Sequence, residues 1–80
     1  MTEAHFQKLS FHDKGIVLFT DGRFLFTRST DLYRIQLYVL YNFYVESYHC
    51  LKTDKIKKIE LVSLDTKKRF YDEAGLPDKG

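Results

Sequence analysis

Apolar and polar positions alternate differently in successive parts of the chain, and the changes mark the elements. From Gly15 to Thr27, "GIVLFTDGRFLFT" sets two β-rich runs on either side of Asp21-Gly22. That pair suits a tight hairpin turn, whose central positions need positive φ. A β-hairpin over residues 15–28 places Phe19 opposite Phe24 and Val17 opposite Phe26. Ahead of it, within residues 1–10, "TEAHFQKL" predicts a short helix. Thr2 is its N-cap, Glu3 lies in the first turn, and Phe6 and Leu9 share a face. So short a helix depends on packing for its stability.

The stretch "LYVLYNFYVESYHC", Leu37 to Cys50, holds four tyrosines and a phenylalanine in fourteen residues. Tyr33, Leu37, Leu40, Tyr41, Tyr44 and Tyr48 also fit a helical stripe, so spacing alone does not decide its structure. Composition does. Between Leu32 and Leu51 there is no alanine and one glutamate, while Tyr, Val, Phe and Ile dominate, which favours strands. A three-residue loop, Leu40-Tyr41-Asn42 with Asn42 left-handed, pairs Val39 with Phe43, Leu37 with Val45 and Ile35 with Ser47. One face is then aliphatic and suits a core. The other carries Arg34, Gln36, Tyr38, Tyr44, Glu46 and Tyr48. A two-residue loop would mix Glu46 among the aliphatics, so segregation favours the longer one.

"KIKKIELVSL" reads as a further strand with Ile56, Ile59, Leu61, Val62 and Leu64 as candidates for burial, and "TKKRFYDEAG" as a short edge strand through Phe70 and Tyr71. The fold expected is a single domain over residues 1–80, mainly β. It is an antiparallel β-meander of five or six strands with one short N-terminal helix, and α+β is the alternative. Residues 32–64 form the meander and 72–80 a flexible tail.

The segment Leu37 to Glu60, "LYVLYNFYVESYHCLKTDKIKKIE", resembles a hairpin pattern of small uncharacterised bacterial β-meander proteins. In these an aliphatic strand turns into Phe-Tyr/Phe-Val-Glu-x-Tyr, followed by a polar turn and Lys-Ile-x-x-Ile. The resemblance implies a bacterial origin and a meander sheet, and no activity.

Eighty residues bury little core unless staples or partners help. The one cysteine, Cys50, excludes an intrachain disulfide and fits a reducing compartment. "MTEAHFQKLSFHDKG" lacks the basic start and apolar run of a signal peptide, and no run approaches a membrane span, which predicts a cytoplasmic protein.

Candidate chemistry is sparse. His49 and Cys50 are adjacent, so on a strand they point to opposite faces and make no nucleophile–base pair. His5, His12, His49 and Cys50 lack metal-ligand spacing. The carboxylates form no acid/base pair, and Gly15, Gly22, Gly75 and Gly80 make no phosphate cradle. No catalytic residue, metal, cofactor or small-molecule substrate is inferred, and Glu46 is the carboxylate that no turn or terminus explains.

Two binding readings remain. The favoured one is a non-enzymatic protein-binding module, an inhibitor or adaptor of a larger bacterial or phage-targeted machine. It would contact a partner, or a second copy of itself, through Arg34, Tyr38, Tyr44, Glu46 and Tyr48, since Tyr and Arg are enriched at interfaces. The alternative is RNA or single-stranded DNA. Tyrosines would stack on bases, and Lys52, Lys55, Lys57, Lys58, Lys67, Lys68 and Arg69 would follow phosphates. The net charge of only +2 weighs against it.

Overall fold

The computed structural model describes residues 1–71. Thr2 starts the first helix, α1 (Glu3–Lys8), by accepting the His5 N–H on its hydroxyl oxygen at 3.1 Å, and the helix buries Phe6. This is the short N-terminal helix that the sequence predicts.

Residues 15–28 do not form a hairpin. Ser10 caps a second helix, α2 (Phe11–Asp21), by accepting the Asp13 N–H at 3.1 Å. The helix stops at Gly22, whose N–H donates to the Leu18 carbonyl at 2.9 Å, and the chain then extends into β1 (Arg23–Ser29). Gly22 has a φ of −79°, so it is a helix stop and not a left-handed turn residue. A Cβ there would lie 2.4 Å from the Leu18 carbonyl oxygen, which explains the glycine sterically. Strand-favouring side chains cost a helix only up to about 0.7 kcal/mol each. Complete burial of Leu18 returns roughly 1.5–3 kcal/mol, so packing outweighs the local preference.

β2 (Tyr33–Leu40), β3 (Phe43–Cys50) and β4 (Ile56–Leu61) complete one antiparallel sheet in the order β1-β2-β3-β4. The meander within residues 32–64 is therefore present, but the described sheet has four strands, not five or six. The first half of the expected hairpin is helical, and so are residues 66–70 of the expected edge strand after β4, whose residues 72–75 lie outside the described residues. There Ser63 caps a third helix, α3 (Leu64–Phe70). The tail expected over residues 72–80 lies outside the described residues.

The β2–β3 register also differs from expectation. Leu40 pairs with Phe43 across a two-residue turn, which brings Tyr38 opposite Val45, Leu37 opposite Glu46 and Ile35 opposite Tyr48. Tyr41, not Asn42, takes the left-handed conformation, with φ 55°. Its hydroxyl donates to Asp21 at 2.6 Å, tying the turn to the end of α2. Segregation of apolar from polar side chains is demanded only where one face is wet, and here both faces are covered. Leu40, Phe43, Val45 and Ile59 pack with Phe6 and Leu18 beneath α1 and α2. On the opposite face Leu37 and Tyr44 pack with Tyr71, flanked by Leu25, Val39 and Val62. No described helix is long and apolar enough to cross a membrane.

Leu18 and Phe19 separate the helical structure from a hairpin experimentally. Leu18→Ala should cost about 2–5 kcal/mol in denaturant unfolding. Phe19 is half-exposed and meets Tyr38 edge-on, so Phe19→Ala should cost about 1 kcal/mol. A hairpin with Phe19 facing inward would reverse that order.

Candidate functional site

The five residues expected to share one contact face are divided between two. Arg34 and Tyr38 lie on the face covered by α1 and α2, whereas Tyr44, Glu46 and Tyr48 lie on the Tyr71 face, as the β2–β3 register requires. Tyr44 and Glu46 are only 1 % and 2 % exposed, so neither offers a contact surface. Tyr48 is half-buried, with Tyr33 at 5.6 Å edge-on and the Lys58 ammonium 4.3 Å from its ring centroid. Tyr38 is half-buried between Phe19 and Phe24, and its hydroxyl donates to Gln36 at 3.1 Å. Arg34 remains exposed and pairs with Asp54 at 3.4 Å.

Glu46 is the centre of a buried polar cluster. Its Oε2 accepts from Arg28 Nη2 at 3.0 Å, from Arg28 Nε at 3.3 Å and from the Tyr71 hydroxyl at 2.5 Å. Its Oε1 accepts from the Tyr48 hydroxyl at 3.2 Å. Arg28 Nε also donates to the Tyr71 oxygen at 3.0 Å. Burial pushes the Tyr48 phenol up to about 12, helped by the Glu46 carboxylate. Tyr71 moves the same way, through burial first and its bond to Glu46 second. Burial pulls Arg28 downward, but its bonds to Tyr71 and Glu46 prevail and leave it above its ordinary value. With its two oxygens answered by donors from Arg28, Tyr48 and Tyr71, this cluster is architecture.

An accessible apolar surface lies instead on α2. Phe11, Ile16 and Phe19 are about half-exposed along one flank of the helix, and Phe24 on β1 extends the strip past Tyr38. A hollow of about 390 Å³ runs beneath this flank, lined by Phe11, Gly15, Ile16, Phe19 and, from β4, Ile56 and Ile59. A second hollow of about 490 Å³ adjoins it through the shared Phe11 and Ile59. It follows β4 from Lys57 to Leu61 and is walled by Phe6, Gln7 and Lys14. Ile16 and Phe19 were not expected at the surface because the sequence places them in a hairpin over residues 15–28, and Phe11 and Lys14 were assigned to no element. The signal was present in Ser10-x-x-Asp13, a helix-capping spacing, followed by Leu18 as the inward position.

The lysines expected to follow phosphates are dispersed. Lys57 and Lys58 line the hollow beside β4. Lys52 and Lys55 sit in the β3–β4 connection, while Lys67, Lys68 and Arg69 belong to α3. Cys50 and His49 point to opposite faces. The Cys50 thiol is drawn below its ordinary pKa, first by a hydrogen bond with the Thr53 side chain. His49 is held by Ser47 at 3.0 Å, and burial, then Arg34, lower its pKa. Among the described residues no group of His, Cys, Asp and Glu is arranged to hold a metal.

The Glu46 cluster gives two expectations for stability. Arg28 retains 22 % side-chain exposure, so Glu46→Ala should cost about 2–4 kcal/mol, somewhat below the loss from breaking a fully buried pair. Denaturant unfolding measures it, and a cost near zero would show the carboxylate to be dispensable. Folding raises the Tyr48 pKa from 10.0 to about 12, so its contribution is complete below pH 10.0 and is lost as pH rises through about 12. Urea midpoints measured across that window should fall with pH, and Tyr48→Phe should flatten the fall.

No protein-family model, curated protein sequence or solved structure matches the chain.

Proposed function

We propose that this chain is a non-enzymatic protein-binding module, an inhibitor or adaptor, whose contact surface is the outer flank of α2 and the groove it forms with β4. The observation that carries this reading is the contiguous exposed strip of Phe11, Ile16 and Phe19 above two adjoining hollows. Grouped exposed apolar side chains are costly to solubility and mark contact sites far more often than scattered ones do. These residues leave the core intact without their tips, since Leu18 makes the inward contact from α2. The surface proposed thus keeps Tyr38 at its border and gives up Tyr44 and Glu46.

Nucleic acid is the weaker reading. Stacking needs free ring faces, yet Tyr44 is buried and Tyr48 is occupied by Lys58 and Tyr33.

A photo-crosslinking amino acid placed at Ile16 tests the protein-binding reading in cells that express the chain. A discrete adduct is expected from Ile16, abolished by Phe19→Lys, with none from the same probe at Lys68 on α3. Equal labelling from both positions, or none from Phe11, Ile16 or Phe19, would overturn it.

A further inference from the structure

β4 ends the sheet, and its outward-facing backbone follows from the ladder. The Val62 N–H donates to the Tyr44 carbonyl at 3.0 Å, one step beyond the Leu61–Val45 pair. Alternation along an antiparallel strand therefore turns the N–H and C=O of Lys58, Glu60 and Val62 toward β3. Those of Ile59 and Leu61 turn outward, and among the described residues no strand lies beside them. Each edge strand carries one irregularity, in β1 between Phe24 and Phe26 and in β4 at Lys57, and each keeps four consecutive residues in regular register beyond it, Phe26 to Ser29 and Lys58 to Leu61. What singles out β4 as a template is the hollow that runs along it from Lys57 to Leu61.

The groove beside β4 gives that template a side-chain address. The same hollow that follows Lys57 to Leu61 reaches Phe6 and Phe11 beneath the helices. A strand laid along β4 would put alternate side chains into it, the usual division in which main-chain bonds give affinity and pockets give selectivity. Its charged lining consists of Lys14, Lys57, Lys58 and Glu60, and Glu60 is already paired with Lys58 at 3.6 Å. The unbalanced charge is positive. A second copy of this chain would bring the same lysines to the same groove, so it is a poorer occupant than an acidic segment.

We propose that β4 docks an extended acidic segment of a protein partner by strand addition, its main chain bonded to Ile59 and Leu61, its apolar side chains in the groove and its carboxylates beside Lys14 and Lys57. This rests on the protein-binding reading and specifies its partner chemistry.

The test uses the full chain and a fluorescent peptide of alternating Glu and Val. Matched probes are a Lys-Val peptide, the Glu-Val peptide N-methylated at alternate residues, and a single-stranded RNA. Fluorescence anisotropy measures affinity, and amide hydrogen exchange locates the contact. The Glu-Val peptide should bind and slow exchange at the Ile59 and Leu61 amides. N-methylation, or Lys14→Glu with Lys57→Glu, should weaken it about tenfold or more. Circular dichroism of that variant should match the parent, because Lys57 is exposed and Lys14 half-buried.

Equal binding of the N-methylated or Lys-Val peptide would overturn strand addition or charge selection, respectively. RNA that binds more tightly and displaces the peptide would overturn the choice of partner. A dimer in sedimentation that protects Ile59 and Leu61 without peptide would assign the edge to a second copy. No peptide binding, with Ile16 adducts still formed in cells, would remove the strand-addition proposal and leave the protein-binding reading standing.

Discussion

A carboxylate buried between strands has to be answered by donors, and Glu46 sets that requirement here. It sits opposite Leu37 on the central strand pair, 2 % exposed. Left unpaired, such a group would cost several kcal/mol of desolvation. Arg28 reaches it from β1, Tyr48 from two residues along β3, and Tyr71 from the end of α3. The cluster thereby ties the first strand, the third strand and the last described helix to one point. A one-residue slip of β3 would carry Glu46, and Tyr48 with it, to the face where Phe6 and Leu18 pack, away from Arg28 and Tyr71. The two-residue turn and the polar cluster are therefore consistent only with each other.

That register also distributes the aromatic side chains. Tyr44 goes into the Tyr71 cluster, Phe43 goes beneath α1, and Tyr38 reaches the border of the α2 flank. The tyrosine-rich stretch consequently builds two covered faces, with its polar tips used internally. What remains for recognition is supplied by residues outside it. These are the half-exposed Phe11, Ile16 and Phe19 on α2, and the lysine-bordered outer edge of β4. Both surfaces meet at Phe11 and Ile59, so a segment lying along β4 also has access to the helix flank. The proposed binding role and its strand-addition mode thus use one continuous region of the molecule.

Several elements were legible from local chemistry. Thr2, Glu3 and Phe6 specified α1 because a cap and an inward ring are set within one or two turns. The β-branched and aromatic content of residues 33–50 specified β2 and β3, and the apolar positions of β4 placed Ile59 inside. The segment before β1 was misread because Ile16, Val17, Phe19 and Thr20 favour strands individually. Its helix is decided by the Ser10 cap and by what Leu18 buries. Of the candidate contact residues, Arg34 and Tyr38 stayed at or near the surface. Tyr44 and Glu46 went inside because their orientation depended on the loop between β2 and β3.

Alternation, propensity and capping act over a few neighbouring residues, and they suffice to specify an antiparallel meander and a short capped helix ahead of it. The tertiary structure alone decided that residues 11–21 wind into a helix, that the turn contains two residues, and that Glu46 points inward. Each of those outcomes depends on partners distant along the chain. Leu18 needs the sheet, and Glu46 needs Arg28 and Tyr71. Pairing and burial energies of a few kcal/mol outweigh local preferences of tenths, and they exist only once the chain has folded back on itself.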